Sequence, residues 1–197
     1  MDKYAVFDLD GTLTSKDTLF EVLYFFRSRS STYFNTLLLL PNFLLAKLSI
    51  IDSGNVKAKL IYKCLGKFDE KYIRSKANLF SERVLPKLIK PNMVARLEWH
   101  AEQGHQIVIA TASLDLWVKA WCEANSYWVV CTEALFVQGH LQSVFKTQNC
   151  KGHEKLKRIK ALLCEKSGEL AYGYGDTAPD LYFLRECKHQ YYKKFPF

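Results

Sequence analysis

The sequence predicts an α/β protein: a Rossmann-like, doubly wound parallel sheet with a helical subdomain inserted early in the chain. Three observations carry that expectation. Short apolar, β-prone runs at residues 4–7, 106–110, 127–131 and 170–174 alternate with helical patterns over the second half of the chain. Such alternation builds parallel strands joined by right-handed crossovers. Residues 15–88 keep helical periodicity almost throughout, so they read as an insert between the first strand and the second. Several of the strand-like runs also lead into polar residues, which a sheet of this kind gathers outside its carboxyl edge.

Taken in order, Tyr4, Ala5, Val6 and Phe7 form the first strand, which stops abruptly at Asp8, Leu9, Asp10, Gly11 and Thr12. Alternation along a strand puts Asp8 and Asp10 on one side with Leu9 facing away, and Gly11 lets the chain turn sharply. Two carboxylates buried close together are costly unless a divalent cation or a phosphate-handling site offsets them. The competing reading is a strand capped by a turn whose acids are solvated. Residues 17–27 come next as a helix that Ser15 or Asp17 can cap.

Residues 33–51 contain TLLLLPNFLLAKLSII, the most apolar stretch of the chain, interrupted by Pro41 and Asn42 and carrying Lys47. Its uninterrupted run is well short of the ~18 to 20 residues a spanning helix needs. Two readings stay open: a buried helical pair in the insert's own core, or an interfacial contact with a membrane. Helices at 56–65 and 68–88 are separated by Gly66 and Lys67, and Pro91 starts another that ends near Gln103 and Gly104.

From there strands and helices alternate: strand 106–110, helix 114–124, strand 127–131, a hairpin of 134–137 and 141–145 around Gln138, Gly139 and His140, helix 151–166, strand 170–174, helix 178–187 and strand 189–192. The expected division is an α/β core of residues 1–14 and 89–197 and a helical cap of residues 15–88.

With 197 residues, 49% of them hydrophobic and 14% aromatic, the chain can bury one good core plus a small subdomain. The net charge of +8 suits an anionic substrate, a nucleic acid or an anionic membrane, and charge alone does not choose. The six cysteines form no CxxC pair and nothing at the N-terminus resembles a signal peptide, so a cytoplasmic protein with reduced thiols is expected.

Three later segments bring polar residues to the edge where Asp8 and Asp10 end. The strand at 106–110 runs into Thr111, Ala112 and Ser113; the strand at 170–174 runs into Gly175, Asp176, Thr177, Ala178, Pro179 and Asp180; and NCKGHEK brings Lys151 and Lys155 to a helix start. Singly, each has a bland reading as a helix cap or a solvated lysine. Together they form a site able to hold a hard divalent metal and to neutralise a transferring phosphoryl group.

The order DLDGT, an apolar strand ending in Thr, KG or GHEK, and GDTAPD resembles the haloacid dehalogenase superfamily of phosphotransferases, and the helical insert resembles its phosphoserine-phosphatase-like subfamily. That resemblance implies an Mg²⁺-dependent phosphomonoesterase. Asp8 would be the nucleophile, forming an aspartyl phosphate, and Asp10 the general acid and base. Thr111, with Ala112, Ser113 and Gly11, would hold the phosphoryl oxygens. Lys151 or Lys155, with a slight preference for Lys151, would be the motif lysine. Asp8, the Asp10 carbonyl, Asp176 and Asp180 would hold the metal. Asp17 stands where the subfamily places a Glu facing the substrate amine, but it is better read as a helix cap.

The combination of ATAS, CKGHEK, YGYGD and the aromatic, basic ending LYFLRECKHQYYKKF is similar to bacterial phosphatidylglycerophosphatase C. It implies a phospholipid headgroup phosphate such as phosphatidylglycerophosphate as substrate, on an enzyme peripheral to the inner face of the membrane. A small soluble phosphometabolite such as phosphoserine is the alternative. A non-catalytic module that binds anionic membrane or nucleic acid is the alternative of another class, disfavoured because a pure binder has no use for this set of acids.

Overall fold

The computed structural model describes residues 2–48 and 50–196, leaving aside the side chains of Phe43 and Lys47 in the apolar stretch. Its centre is β1 (Lys3–Phe7), flanked by β2 (Gln106–Leu114) and β6 (Glu169–Gly175), with β3 (Trp128–Thr132) and β7 (His189–Tyr192) outside them. The order is β3-β2-β1-β6-β7 and every pairing is parallel. Alternation along β1 splits the interior in two. Ala5 and Phe7 join a cluster with Met93 and Leu97 of α7 (Pro91–Glu102) and Trp117 of α8 (Asp115–Ala124). Tyr4 and Val6 join another with Ile159 and Leu163 of α9 (His153–Lys166) and Phe183 of α10 (Leu181–Leu184). Helices therefore cover both faces, which is why β1 has no solvated side to make polar.

Between β1 and α7 the described residues of the insert form six helices: α1 (Thr18–Phe26), α2 (Arg29–Leu38), α3 (Leu40–Lys47), α4 (Ser53–Leu65), α5 (Glu70–Arg83) and α6 (Leu85–Leu88). Asp17, Ser28, Asp52 and Asp69 cap α1, α2, α4 and α5, each accepting from an amide two or three residues on. Asp17 is thus the cap of α1; Ser15 instead donates to the Leu88 carbonyl. The small sheet of β4 (Ala134–Val137) and β5 (His140–Phe145) turns at Gln138 and Gly139, both at positive φ as a tight hairpin requires. Its β5 packs against α4 and ties the insert to the core.

Several boundaries differ from expectation for identifiable reasons. The expected helix 68–88 breaks at Val84, before Pro86. The expected helix 178–187 shrinks to a 3₁₀ turn at Ala178–Asp180, which Thr177 and Asp180 cap, and the short α10. Helix α9 begins at His153 and not Lys151, since Gly152 at φ 58° breaks the helical path. Strand β2 extends to Leu114, past the expected end at Ala110.

The largest correction concerns the apolar stretch. The reading that buries its leucines in the insert's core does not hold: Leu37, Leu38, Leu40, Leu44, Leu45 and Leu48 are exposed, and of the leucines from 37 to 48 only Leu39 is buried. No described helix is long and apolar enough to cross a membrane.

Candidate active site

Parallel strands β1, β2 and β6 end side by side, and residues at or just beyond each strand's end meet there. Asp8 continues β1, its amide donating to the Tyr174 carbonyl of β6. Its carboxylate is 7% exposed and accepts, through Oδ1, from Lys155 Nζ at 2.7 Å. The same ammonium donates to Asp180 Oδ1 at 2.6 Å. Lys155 is itself 3% exposed, so a buried cation sits between two buried carboxylates, the arrangement that makes such burial tolerable. Burial draws the lysine's proton affinity down, but Asp8 and Asp180 outweigh that and hold it firmly charged. Burial pushes Asp8 up to about 7 despite Lys155, with Asp180 and Asp10 adding to the rise. Asp180 moves the other way: its burial is outweighed by Lys155 and by the bonds from Thr177, which keep it ionised.

The lysine assignment is therefore corrected. Lys155, in the first turn of α9, reaches Asp8, while Lys151 lies before the turn at Gly152 and is exposed. A one-turn offset on a helix would have allowed both to project inward; the non-helical Gly152 removes Lys151 from that helix.

Asp10 is held by both oxygens. The Thr18 amide at the start of α1 donates to Oδ1 at 2.6 Å, and Ser113 Oγ donates to Oδ2 at 2.7 Å. Thr18 Oγ1 lies 2.9 Å from Ser113 Oγ and accepts from Trp117 Nε1, so the carboxylate is clamped between the insert and the sheet. This corrects the expectation for Ser113. Its hydroxyl is on Asp10 and its amide donates to Thr111 Oγ1, so both of its donors are spent within the protein. Thr111 is buried at the same edge, and the Ala112 carbonyl accepts from Thr132 Oγ1.

Gly11 is at φ 87°, and a Cβ there would collide with the Asp176 carboxylate. The turn after Asp10 and the loop after β6 thus approach more closely than any side chain permits. Thr12 Oγ1 donates to Asp176 Oδ1 at 2.9 Å and Lys90 Nζ donates to the Gly11 carbonyl, fixing both sides of that approach. Carboxylate oxygens of Asp8, Asp176 and Asp180 lie within 4.8 Å of one another. Three convergent carboxylates, all hard oxygen donors, suit a hard divalent cation.

Four contributors escaped the sequence reading: Thr12, Thr18, Lys90 and Lys57. Lys57 reaches from α4 of the insert to donate to the Ala112 carbonyl at 2.9 Å. Burial lowers its proton affinity, Asp10 and Asp17 raise it, and Lys151 lowers it further. In the sequence it is one of several lysines between residues 47 and 67, and nothing local distinguishes it.

Residues 5–185 match the model of the haloacid dehalogenase-like hydrolases. The protein CicA of Caulobacter vibrioides is 29% identical over 193 residues, 97% of this chain and 86% of that protein. A protein of unknown function from Bordetella pertussis Tohama I has a TM-score of 0.75 at 15% identity, over 94% of this chain and 86% of that one. A phospho-aspartyl intermediate analogue of phosphoserine phosphatase has a TM-score of 0.63 at 14% identity, over 94% and 83%. At such identities the two structures speak for the fold alone. The family match, by contrast, runs from the first strand through the insert and beyond the Asp176 loop, and with it this chain belongs to the haloacid dehalogenase-like hydrolases.

Proposed function

We propose that the protein is an Mg²⁺-dependent phosphomonoesterase that works through an aspartyl phosphate on Asp8. The observation that carries this reading is the pair of contrasting carboxylates at the end of β1: Asp8 paired with a buried ammonium, Asp10 held on both oxygens by neutral donors. Lys155 offsets part of the burial that pushes Asp8 up and would leave its free oxygen to attack, while Asp10, fixed beside it, would exchange the proton with the leaving group and with water.

In the first half-reaction an Asp8 oxygen attacks phosphorus and the bond to the leaving alcohol breaks, with Asp10 giving its proton to the departing oxygen. In the second, Asp10 takes a proton from water, whose oxygen attacks phosphorus, and the bond to Asp8 breaks to release phosphate. Lys155 neutralises charge on Asp8 and the phosphoryl oxygens. The Thr111 hydroxyl with the amides of Ala112 and Gly11 is the proposed cradle for those oxygens. Mg²⁺ held by Asp8, Asp176 and Asp180 would supply the remaining positive charge. Residues 15–88 are the proposed cap, with Lys57 as the cap's cation over the site.

For the substrate, the phosphoserine phosphatase neighbours support a small phosphometabolite. The exposed leucines of α2 and α3 favour the second reading, a phospholipid headgroup phosphate, because a cap that only covers soluble substrates has no need of them.

Hydrolysis of an aryl phosphate with Mg²⁺ tests the chemistry without deciding the substrate. Asp8→Asn should abolish turnover, and Asp10→Asn should lower it by about 10² to 10⁴. Wild-type turnover in either variant would defeat the mechanism.

A further inference from the structure

Helix α2 is amphipathic the wrong way round for a helix on a water-facing surface. Its inward side carries Thr32, which is fully buried, and the half-buried Asn35 and Thr36. Their side chains bond within the helix: Thr32 to the Ser28 carbonyl, Asn35 to the Ser31 carbonyl and Thr36 to the Thr32 carbonyl. Asn35 also approaches Cys64 Sγ of α4. The outward side carries Phe34, Leu37 and Leu38, at 63%, 65% and 51% exposure. An ordinary surface helix does the reverse.

Leu44 of α3, and Leu48 and Ile50 after it, are exposed as well, at 56%, 69% and 64%. Nine of the seventeen exposed large apolar side chains among the described residues fall between Tyr33 and Ile50. Such concentration is not the scattered exposure that needs no explanation.

The charge pattern selects the occupant. From Val22 to Phe68 the chain carries seven lysines and arginines and one acid, Asp52; with Lys57 turned inward to the Ala112 carbonyl, six cations remain against that one acid. A second copy of the chain, meeting this face with its own, would set the same cations against each other. An anionic lipid surface meets both features at once, taking the apolar side chains into the boundary of the acyl chains and the lysines and arginines against its phosphates.

We propose that the α2–α3 face is a peripheral docking surface for anionic phospholipid bilayers. The proposal does not depend on the catalytic reading of the Asp8 site, and it names the place from which a lipid-borne phosphate would be presented.

The test is co-sedimentation of the full chain with vesicles of phosphatidylcholine and phosphatidylglycerol in equal parts, and of phosphatidylcholine alone. Wild type should pellet with the anionic vesicles and less with neutral ones. The triple variant Phe34→Ser, Leu37→Ser, Leu44→Ser should lose at least about tenfold in apparent affinity, with its melting temperature and aryl phosphate turnover unchanged. These residues are exposed and far from Asp8 in role, so loss of folding is not expected, and intact turnover reports it. No binding by wild type, equal binding to neutral vesicles, or undiminished binding by the variant each overturns the proposal. So does self-association in sedimentation velocity that the triple variant abolishes, because then a second copy covers the face.

Discussion

The carboxyl edge of the sheet and the outer face of the helical insert are built on opposite principles. At the edge, charged groups are buried and matched: Lys155 bridges Asp8 and Asp180, and Ser113 and Thr18 hold Asp10. On the α2–α3 face, apolar groups are exposed while Thr32 and Asn35 turn inward. Each region breaks the usual rule of burial. At the edge the departure is offset within the molecule; on the insert the offset must come from outside it. Removing one member should therefore be expensive at the edge and nearly neutral on the face.

The largest effect is expected at Lys155. Lys155→Met leaves two buried carboxylates without their cation and should cost about 3 to 5 kcal/mol in metal-free protein, together with turnover. Millimolar Mg²⁺ should recover part of the lost melting temperature, since a ligand bound only by the folded state stabilises it. A variant as stable as wild type without metal would break the contrast between the two regions.

Leu39 sharpens it from within the insert. It is 6% exposed between two exposed neighbours, so Leu39→Ala should cost about 2 to 3 kcal/mol in denaturant unfolding. A change that leaves the midpoint in place would mean that this leucine, too, belongs to the outer face.

Gly11→Ala should cost roughly 1 to 3 kcal/mol, from the φ of 87° and the collision with Asp176. Activity should fall further than stability, because Asp176 must move away from the acids it joins. Equal loss of both would place Gly11 in the fold alone.

A smaller, pH-dependent effect lies beneath the edge. His100, fully buried, lies within bonding distance of the Tyr174 hydroxyl and of His105, and Arg96 donates to the same hydroxyl. Burial, with Arg96 and His105 beside it, lowers His100 from 6.5 to about 3. A depressed value means that the neutral ring's contribution is present above 6.5 and is lost as the pH falls towards 3. Thermal melts across that window should show the decline, and His100→Gln should flatten it. An unchanged acid limb in that variant would assign the decline to other groups.

The smallest effect is expected on the outer face. Leu44→Ser should stay within about 0.5 kcal/mol of wild type. A cost near that of Leu39→Ala would show that the face is packed in solution and would remove the difference between the regions.

The sequence by itself determined the parallel sheet, the helical insert and the convergence of Asp8, Asp10, Thr111, Asp176 and Asp180 on one edge. Each of those rests on local information: strand runs, helical periodicity, and polar residues placed where a strand must end. Caps were legible for the same reason, as at Asp17. Only the tertiary structure decided which lysine reaches Asp8, because Lys151 and Lys155 differ by the backbone path at Gly152. It alone turned Ser113 towards Asp10 and brought Lys57 from α4 to Ala112, since both contacts join residues more than fifty positions apart. It also decided that the leucines face outward. Hydrophobic periodicity shows that a helix has two sides, but which side meets the core depends on what the neighbouring helices offer, and α4 offered Asn35 of α2 the sulfur of Cys64.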